Sequence, residues 1–374
     1  MTDGLRTVPG VPGDGPQDER EALKAVAGTL LALQYGTWDF GVSVAFDAML
    51  QASEALSDSS YARFAHGWAR CWTGQAKPFR RLDCTAPGHA MVALSRAYND
   101  SRLLSVLVEL AEYLMSRPRV GGVYATWERS PLVQPYGPEQ LDARGAALAA
   151  GRPSGVFVDC LHFDPPFLTA LGVLTGQERY WGAGLEQARG YVGLLQKSSG
   201  LFDHFVLEGE AGTFGPGWGR GQGWALLGLL DVIEALAGLE LGPSFEETAA
   251  YLRDATLKLI SAMTELQRED GHWYAVVDDP RSGDEYSTAA FMAAGVARAV
   301  RMGLASGERV LIILERARQA LLGGLTREGV LQKVSAAVMA STLPSHYSHV
   351  PTGYFVPWGQ GPAALALIEA GYGN

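Results

Sequence analysis

The heptapeptide Trp218-Gly219-Arg220-Gly221-Gln222-Gly223-Trp224 leads directly into an apolar run with helical spacing, residues 225–239. Three glycines in seven residues predict an irregular loop at the mouth of a helix, and glycines let a bound molecule approach the backbone closely. The guanidinium of Arg220 matches a carboxylate in shape. This composition predicts a site for an acidic, ring-shaped ligand. The alternative is an ordinary helix start whose two tryptophans are buried in the core.

Length and composition restrict the class of protein. The chain has 374 residues, of which 47% are hydrophobic and 19% are charged, and its net charge is −10. We find no central linker and therefore expect one domain, residues 21–374, after a disordered Gly/Pro/Asp-rich tail, residues 1–20. The acidic balance disfavours nucleic-acid binding. The chain has no apolar run long enough to cross a membrane, and the tail has no apolar core of a signal peptide. We therefore expect a cytoplasmic protein without membrane contact. Whether it forms a homodimer is left open.

Helical periodicity recurs along the whole chain. It predicts twelve helices, over residues 21–34, 41–56, 59–72, 85–99, 103–116, 161–174, 179–196, 221–238, 245–266, 287–302, 307–322 and 359–370. Strand-like runs are short, and residues 273–277 are the best candidate. Helical hairpins that cannot bury their apolar faces alone predict an all-α fold, and about six of them closed into a ring form an (α/α)6 barrel. Residues 118–153 interrupt this pattern and predict an insertion, either a functional lid or a loosely ordered segment.

Polar and aromatic residues concentrate in the loops that precede alternate helices. If those helices point the same way, the loops share one face and line a pocket for a carbohydrate. The predicted lining includes His89, His162 and Trp358. The alternative is that aromatic residues near helix ends only cover the core.

Asp159 is the strongest candidate for chemistry. It lies among apolar and aromatic residues immediately before a helix, where a carboxyl group resists ionisation, as a general acid requires. Asp83 occupies a similar position and would form a carboxyl pair with it. Either residue could instead be a helix N-cap, and His204, between two apolar runs, could be structural. The histidines lack metal-ligand spacing and no nucleotide-binding loop is present, so we expect neither a metal nor a cofactor.

These motifs, in this order, resemble the unsaturated rhamnogalacturonyl hydrolases of glycoside hydrolase family 105, which are related to the unsaturated glucuronyl hydrolases of family 88. The resemblance extends from about residue 82 to the C-terminus. Its motifs are Asp159 after Phe157-Val158, the segments 200–204, 218–224, 270–274 and 285–289, and the helix start 354–363. The chain departs from the family pattern at Phe157, at residues 160–162 and at Gln222.

The resemblance implies an (α/α)6 barrel that hydrates the 4,5 double bond of an unsaturated uronic acid at the nonreducing end of a small acidic oligosaccharide. Asp159 would protonate C4, and Asp83 would hold the sugar or position the water. The implied substrate contacts are Tyr35, Trp38, His204, Trp218, Arg220, Gln222 and Trp224. Two other functions stay open: a different carbohydrate enzyme on the same barrel, such as an epimerase or an ordinary glycosidase, and a noncatalytic sugar-binding toroid.

Overall fold

The computed structural model describes residues 6–7, 18–36, 38–75, 79 and 84–371. In these residues the chain forms thirteen α-helices: α1 (Glu19–Ala32), α2 (Val42–Ala55), α3 (Ser60–Thr73), α4 (Gly88–Ala97), α5 (Ser101–Met115), α6 (Ala143–Gly151), α7 (Asp164–Thr175), α8 (Glu178–Leu195), α9 (Gly219–Ala235), α10 (Pro243–Leu266), α11 (Ser287–Arg301), α12 (Glu308–Gly323) and α13 (Pro357–Gly371). Short antiparallel pairs join β1 (Arg6–Thr7) to β6 (Tyr354–Phe355), β2 (Arg119–Val120) to β3 (Val123–Tyr124), and β4 (Gly155–Phe157) to β5 (Phe205–Leu207).

Six helices form a closed inner ring. Helices α2, α4, α7, α9, α11 and α13 each pack against the next, and α13 packs against α2. These helices are apolar nearly all round; in α9 every residue from Gly219 to Ile233 is buried. The outer helices α1, α3, α5, α8, α10 and α12 bury one stripe, as α3 does with Tyr61, Ala65 and Ala69 at four-residue spacing. The all-α (α/α)6 prediction is therefore confirmed.

The element predictions differ from the structure in three places. All twelve predicted helices are present, and α6 is an additional helix inside the segment predicted as an insertion. The strand predicted at residues 273–277 is wrong, because Tyr274 and Val276 make only isolated bridges, to Asp284 and Trp218. Helix α1 begins at Glu19, within the predicted tail, because the Asp18 side chain accepts a hydrogen bond from the Glu21 N–H.

Most of the predicted disordered tail lies outside the described residues. Its backbone at Arg6–Thr7 pairs with Tyr354–Phe355, so the prediction of disorder does not hold for these two residues. Across the described part of the chain, no helix combines the length and the apolar character that a membrane crossing needs.

The glycines of the 218–224 stretch lie inside a helix, which corrects the prediction of an irregular loop. Helix α9 begins at Gly219. A Cβ atom added at Gly219 would lie 2.5 Å from Thr288 Oγ1, and one at Gly223 would lie 2.4 Å from Phe291 Cβ. Because both contacts are with α11, these glycines permit two inner helices to pack closely. They do not open the backbone to a ligand.

Replacing Gly223 with Ala should lower the free energy of unfolding by about 1–3 kcal/mol, because the methyl group overpacks the contact with Phe291. Gly28→Ala is the matched control: Gly28 is exposed on α1, with no atom within 4 Å of an added Cβ. The control should gain up to about 1 kcal/mol from helix propensity. Urea unfolding measures both variants, and equal stability of the two would contradict this packing argument.

Candidate active site

Strands β4 and β5 bring Asp159 to His204. Phe157 pairs with Phe205, and the Val158 N–H donates to the His204 carbonyl oxygen over 2.8 Å. The chain then enters a short 3-10 turn, Val158–His162, which carries Asp159. Asp159 Oδ2 lies 3.3 Å from His204 Nε2, and the Asp159 side chain is 14% exposed whereas that of His204 is 4% exposed. The carboxyl group is therefore the accessible end of a buried pair.

Tyr347 holds the inner nitrogen of the His204 ring. The Tyr347 hydroxyl lies 2.6 Å from His204 Nδ1 and accepts a hydrogen bond from the Ser341 backbone N–H. Burial raises the pKa of Tyr347 well above its usual value. When this hydroxyl donates to Nδ1, a neutral His204 carries its proton on Nε2, which faces Asp159. Tyr347, His204 and Asp159 therefore lie in a row, joined by one hydrogen bond and one close contact.

The indole of Trp218 covers this chain of groups. Its ring centroid lies 4.5 Å from that of His204 and 6.3 Å from that of Tyr347. On its other side, the Arg220 guanidinium lies 5.0 Å from the Trp218 centroid, which is a cation–π distance. Trp218 is 5% exposed, so these contacts leave little of its ring open to solvent.

Arg220 is buried and paired, which corrects the prediction that it contacts the substrate directly. It is 1% exposed, and its Nη1 donates to Glu285 Oε1 over 3.2 Å and to Ser335 Oγ over 2.5 Å. Burial lowers the pKa of Arg220, although the charge of Glu285 opposes that shift. Both Nη groups of Arg220 are paired with protein groups, whereas its Nε is buried without a hydrogen-bond partner, and the guanidinium lies against the Trp218 ring.

Glu285 joins three segments around that guanidinium. Its carboxylate accepts hydrogen bonds from Ser287 Oγ, from the Thr288 N–H at the start of α11, and from the Ser335 N–H. A carboxylate at a helix N-terminus is also stabilised by the helix dipole. The Arg220–Glu285 pair therefore connects the starts of α9 and α11 to the loop at residues 335–336.

Gln222 and Trp224 are structural, which corrects their prediction as substrate contacts. Both are fully buried. The Gln222 side chain accepts from the Phe202 N–H and donates to the Phe202 carbonyl oxygen, each over 2.8 Å, and so attaches the His204 loop to α9. Trp224 packs in the core, with its ring 4.7 Å from Phe291. The alternative considered for the tryptophans, burial in the core, holds for Trp224.

Two predicted aromatic contacts pack against outer helix α3 instead. The Tyr35 hydroxyl donates to the Leu30 carbonyl oxygen, and its ring packs against Phe46 and Phe64. Trp38 is buried and its ring lies 5.2 Å from that of Trp72. These contacts correct the prediction that the two rings line the mouth of the pocket.

The remaining predicted residues divide between the site and a second cluster. Trp358 supports the Arg220 side, because its Nε1 donates to the Ser335 carbonyl oxygen and its ring lies 5.9 Å from the Arg220 guanidinium. His89 and His162 both contact Asp47, and the His89 side chain is 28% exposed whereas that of His162 is 2% exposed. Asp83 lies outside the described residues.

Sequence reasoning did not select Tyr347 or Glu285 for the site. Tyr347 lies in the 3-10 segment Pro344–His349 of a long loop, and no periodicity indicates which residue of such a loop reaches the barrel centre. Glu285 gave no local signal either, because Glu is not among the preferred N-cap residues and the Glu-x-Ser-Thr order is the reverse of a capping box.

Comparison with known proteins identifies the family of this chain. The fold is an (α/α)6 barrel, as in glycoside hydrolases of this architecture. The chain matches Glycosyl Hydrolase Family 88 over residues 24–371 and belongs to that family; it is a glycoside hydrolase. The resemblance indicated by the sequence motifs is thereby confirmed.

Individual relatives agree with this assignment. An unsaturated rhamnogalacturonyl hydrolase of Bacillus subtilis is 27% identical over 336 residues, 89% of each chain. The structure of a possible member of the GH105 family from Klebsiella pneumoniae has a TM-score of 0.80 at 20% identity and covers 97% of this chain and 95% of its own. The structure of an unsaturated glucuronyl hydrolase from Bacillus sp. GL1 has a TM-score of 0.65 at 17% identity. The match covers 95% of this chain and 96% of that one. The two structures support the fold.

Replacing Glu285 with Ala should lower the free energy of unfolding by about 3–5 kcal/mol, because the Arg220 charge would stay buried without its partner. Glu265→Ala is the control: it removes an exposed carboxylate from Arg309 and should cost about 1 kcal/mol or less. Chemical denaturation compares the two variants. If the two variants lose the same free energy of unfolding, the Arg220–Glu285 pair does not hold the starts of α9 and α11 together.

Proposed function

We propose that this hydrolase removes a 4,5-unsaturated uronic acid from the nonreducing end of an acidic oligosaccharide by hydrating its double bond, with Asp159 as the acid. The observation that carries this proposal is the 3.3 Å contact between the partly exposed Asp159 carboxyl and His204, whose Nδ1 is hydrogen-bonded to Tyr347. The substrate class is supported by the Bacillus subtilis and Bacillus sp. GL1 relatives, an unsaturated rhamnogalacturonyl hydrolase and an unsaturated glucuronyl hydrolase.

The proposed reaction begins with transfer of a proton from Asp159 to C4 of the unsaturated ring. Positive charge then develops at C5 and on the ring oxygen. As Asp159 loses its proton in this proposal, His204 Nε2–H, 3.3 Å away, donates to the new carboxylate and stabilises the charge formed in this step.

Water addition completes the proposed sequence. The Asp159 carboxylate takes a proton from a water molecule while the water oxygen bonds to C5. This proton transfer regenerates the acid form of Asp159. The hemiketal formed at C5 opens by cleavage of the bond between C5 and the ring oxygen. The resulting hemiacetal at C1 then expels the next sugar. Because the anomeric carbon is never attacked, the carboxyl separations that distinguish ordinary glycosidases do not apply.

The buried residues around Asp159 have supporting roles in this proposal. Trp218 and Tyr347 hold the His204 ring from its face and from its Nδ1 side. Arg220 holds Trp218 and contributes a fixed positive charge that acts on Asp159. A preorganised arrangement of this kind needs no rearrangement when charge moves. The cytoplasmic location and the oligosaccharide partner remain predictions.

Asp159→Asn should lower the turnover rate by about 10²–10⁴-fold, because the amide cannot deliver a proton to C4. The measurement is the decay of the ultraviolet absorbance of the conjugated double bond in disaccharides made by polysaccharide lyases. Asp142→Asn is the control: it makes the same chemical change at the N-cap of α6, where Asn also caps well, and should leave the rate unchanged. Full activity of a folded Asp159→Asn variant would refute the proposal.

Tyr347→Phe should lower kcat by about 10–100-fold with little change in KM, because the proton of His204 is no longer directed to Nε2. The pH dependence of kcat should also change, since His204 loses the donor to Nδ1. Tyr136→Phe is the matched control, as the Tyr136 ring stacks on the neighbouring His346. A wild-type kcat and pH profile in Tyr347→Phe would show that the tyrosine does not position His204.

A further inference from the structure

A second group of ionisable side chains lies inside the inner ring and is not used by the proposed reaction. Asp47 comes from α2, His162 from the end of the turn that carries Asp159, and Asp231 from α9. One nitrogen or oxygen atom of each lies within 4.8 Å of the corresponding atoms of the other two. The side chains are 9%, 2% and 4% exposed, respectively. Three separate segments thus place their polar atoms around one buried point.

Only one oxygen of each carboxylate in this group has a partner outside the group. Asp47 Oδ1 lies 3.0 Å from His89 Nδ1, and Asp231 Oδ1 accepts a hydrogen bond from Arg298. The second oxygens face the ring of His162, at 3.7 Å from Nε2 for Asp47 and 3.2 Å from Nδ1 for Asp231. Partners that hold one oxygen of a carboxylate and leave the other directed inward are typical of residues around metal ligands.

The inward atoms are not satisfied by hydrogen bonds. Asp47 Oδ2, Asp231 Oδ2 and both ring nitrogens of His162 are buried and have no hydrogen-bond partner. The contacts between them are close but not aligned for hydrogen bonding. Buried polar atoms in native proteins are nearly always paired, so the two carboxylate oxygens and one nitrogen of His162, each without a partner, indicate that a further group belongs beside them.

The charged partners of this group lie on its outer side. Asp231 pairs with Arg298, which also pairs with Glu234, and Asp47 pairs with His89. Each of these contacts uses Oδ1 of the aspartate, so Oδ2 of Asp47 and Oδ2 of Asp231 are left facing inward without a hydrogen-bond partner. Two inward carboxylate oxygens beside an imidazole are the donor set of a cation site.

We propose that Asp47, His162 and Asp231 bind one divalent transition-metal ion, with Zn²⁺ or Mn²⁺ as the fitting class. Two carboxylate oxygens and one imidazole nitrogen suit these ions, whereas Ca²⁺ takes oxygen ligands. The ion would join α2 and α9 and fix the end of the turn that begins next to Asp159. It has a structural role, separate from the proton transfer at Asp159. Spacing along the sequence predicted no metal, because only one ligand is a histidine and the three come from distant segments.

The test starts from full-length protein treated with a chelator and dialysed. Titration calorimetry with zinc chloride, manganese chloride and calcium chloride, together with elemental analysis after desalting, should show one equivalent of zinc or manganese per chain and no saturable calcium binding. The melting temperature should rise with the concentration of the bound metal. Asp231→Asn and Asp47→Asn should each weaken binding at least about tenfold.

His66→Gln is the matched control, because His66 pairs with Asp100 at 2.9 Å on the outer helices and its removal should leave metal affinity unchanged. If Asp231→Asn does not fold, Asp47→Asn and His162→Gln decide the question. Absence of saturable zinc or manganese binding by the wild-type chain would overturn the proposal and leave a protonated His162 between two carboxylates. Equal affinity in folded Asp47→Asn or His162→Gln would also overturn it.

Discussion

The buried ion pair between Arg220 and Glu285 is the contact on which the site depends. Both side chains are at most 2% exposed, so each charge has lost its hydration and relies on the other. Ser287, Thr288 and Ser335 satisfy the remaining oxygens of Glu285. The pair joins the starts of two neighbouring inner helices, and the guanidinium also supports Trp218. Removing either charge would leave the other buried and unpaired, at a large cost in folding free energy. The pair therefore fixes the position of Trp218, whose ring packs against His204.

Ring architecture was predictable because it depends on patterns that repeat. Periodicity alone located all twelve barrel helices, since an inner helix such as α9 is apolar nearly all round and an outer helix such as α3 has a single apolar stripe. The secondary-structure predictions failed where tertiary packing overrode a local sequence preference. Three glycines in residues 218–224 favour a loop by propensity, yet Gly219 and Gly223 are helical, and they are glycines because α11 lies too close for a side chain. The short helix α6 escaped notice because its segment has weak periodicity.

The local surroundings of Asp159 and His204 in the sequence were informative, whereas the direction of side chains in the first two turns of α9 was not. Asp159 and His204 were singled out from their local surroundings, and the pairing of β4 with β5 places them together. Arg220, Gln222 and Trp224 have ligand-binding chemistry, but helical geometry turns each of them toward the neighbouring elements. Tyr347 comes from a loop more than a hundred residues along the chain, and only the folded ring reveals its contact with His204.

The central claim is that Asp159 delivers a proton to carbon rather than to a leaving oxygen. The most direct measurement is a reaction in deuterium oxide with an unsaturated disaccharide, followed by nuclear magnetic resonance of the released uronate. Hydration predicts one new carbon–deuterium bond at C4, loss of the double bond, and no deuterium incorporation when Asp159 is replaced by Asn. Release of a uronate that keeps its double bond and contains no carbon-bound deuterium would contradict the account.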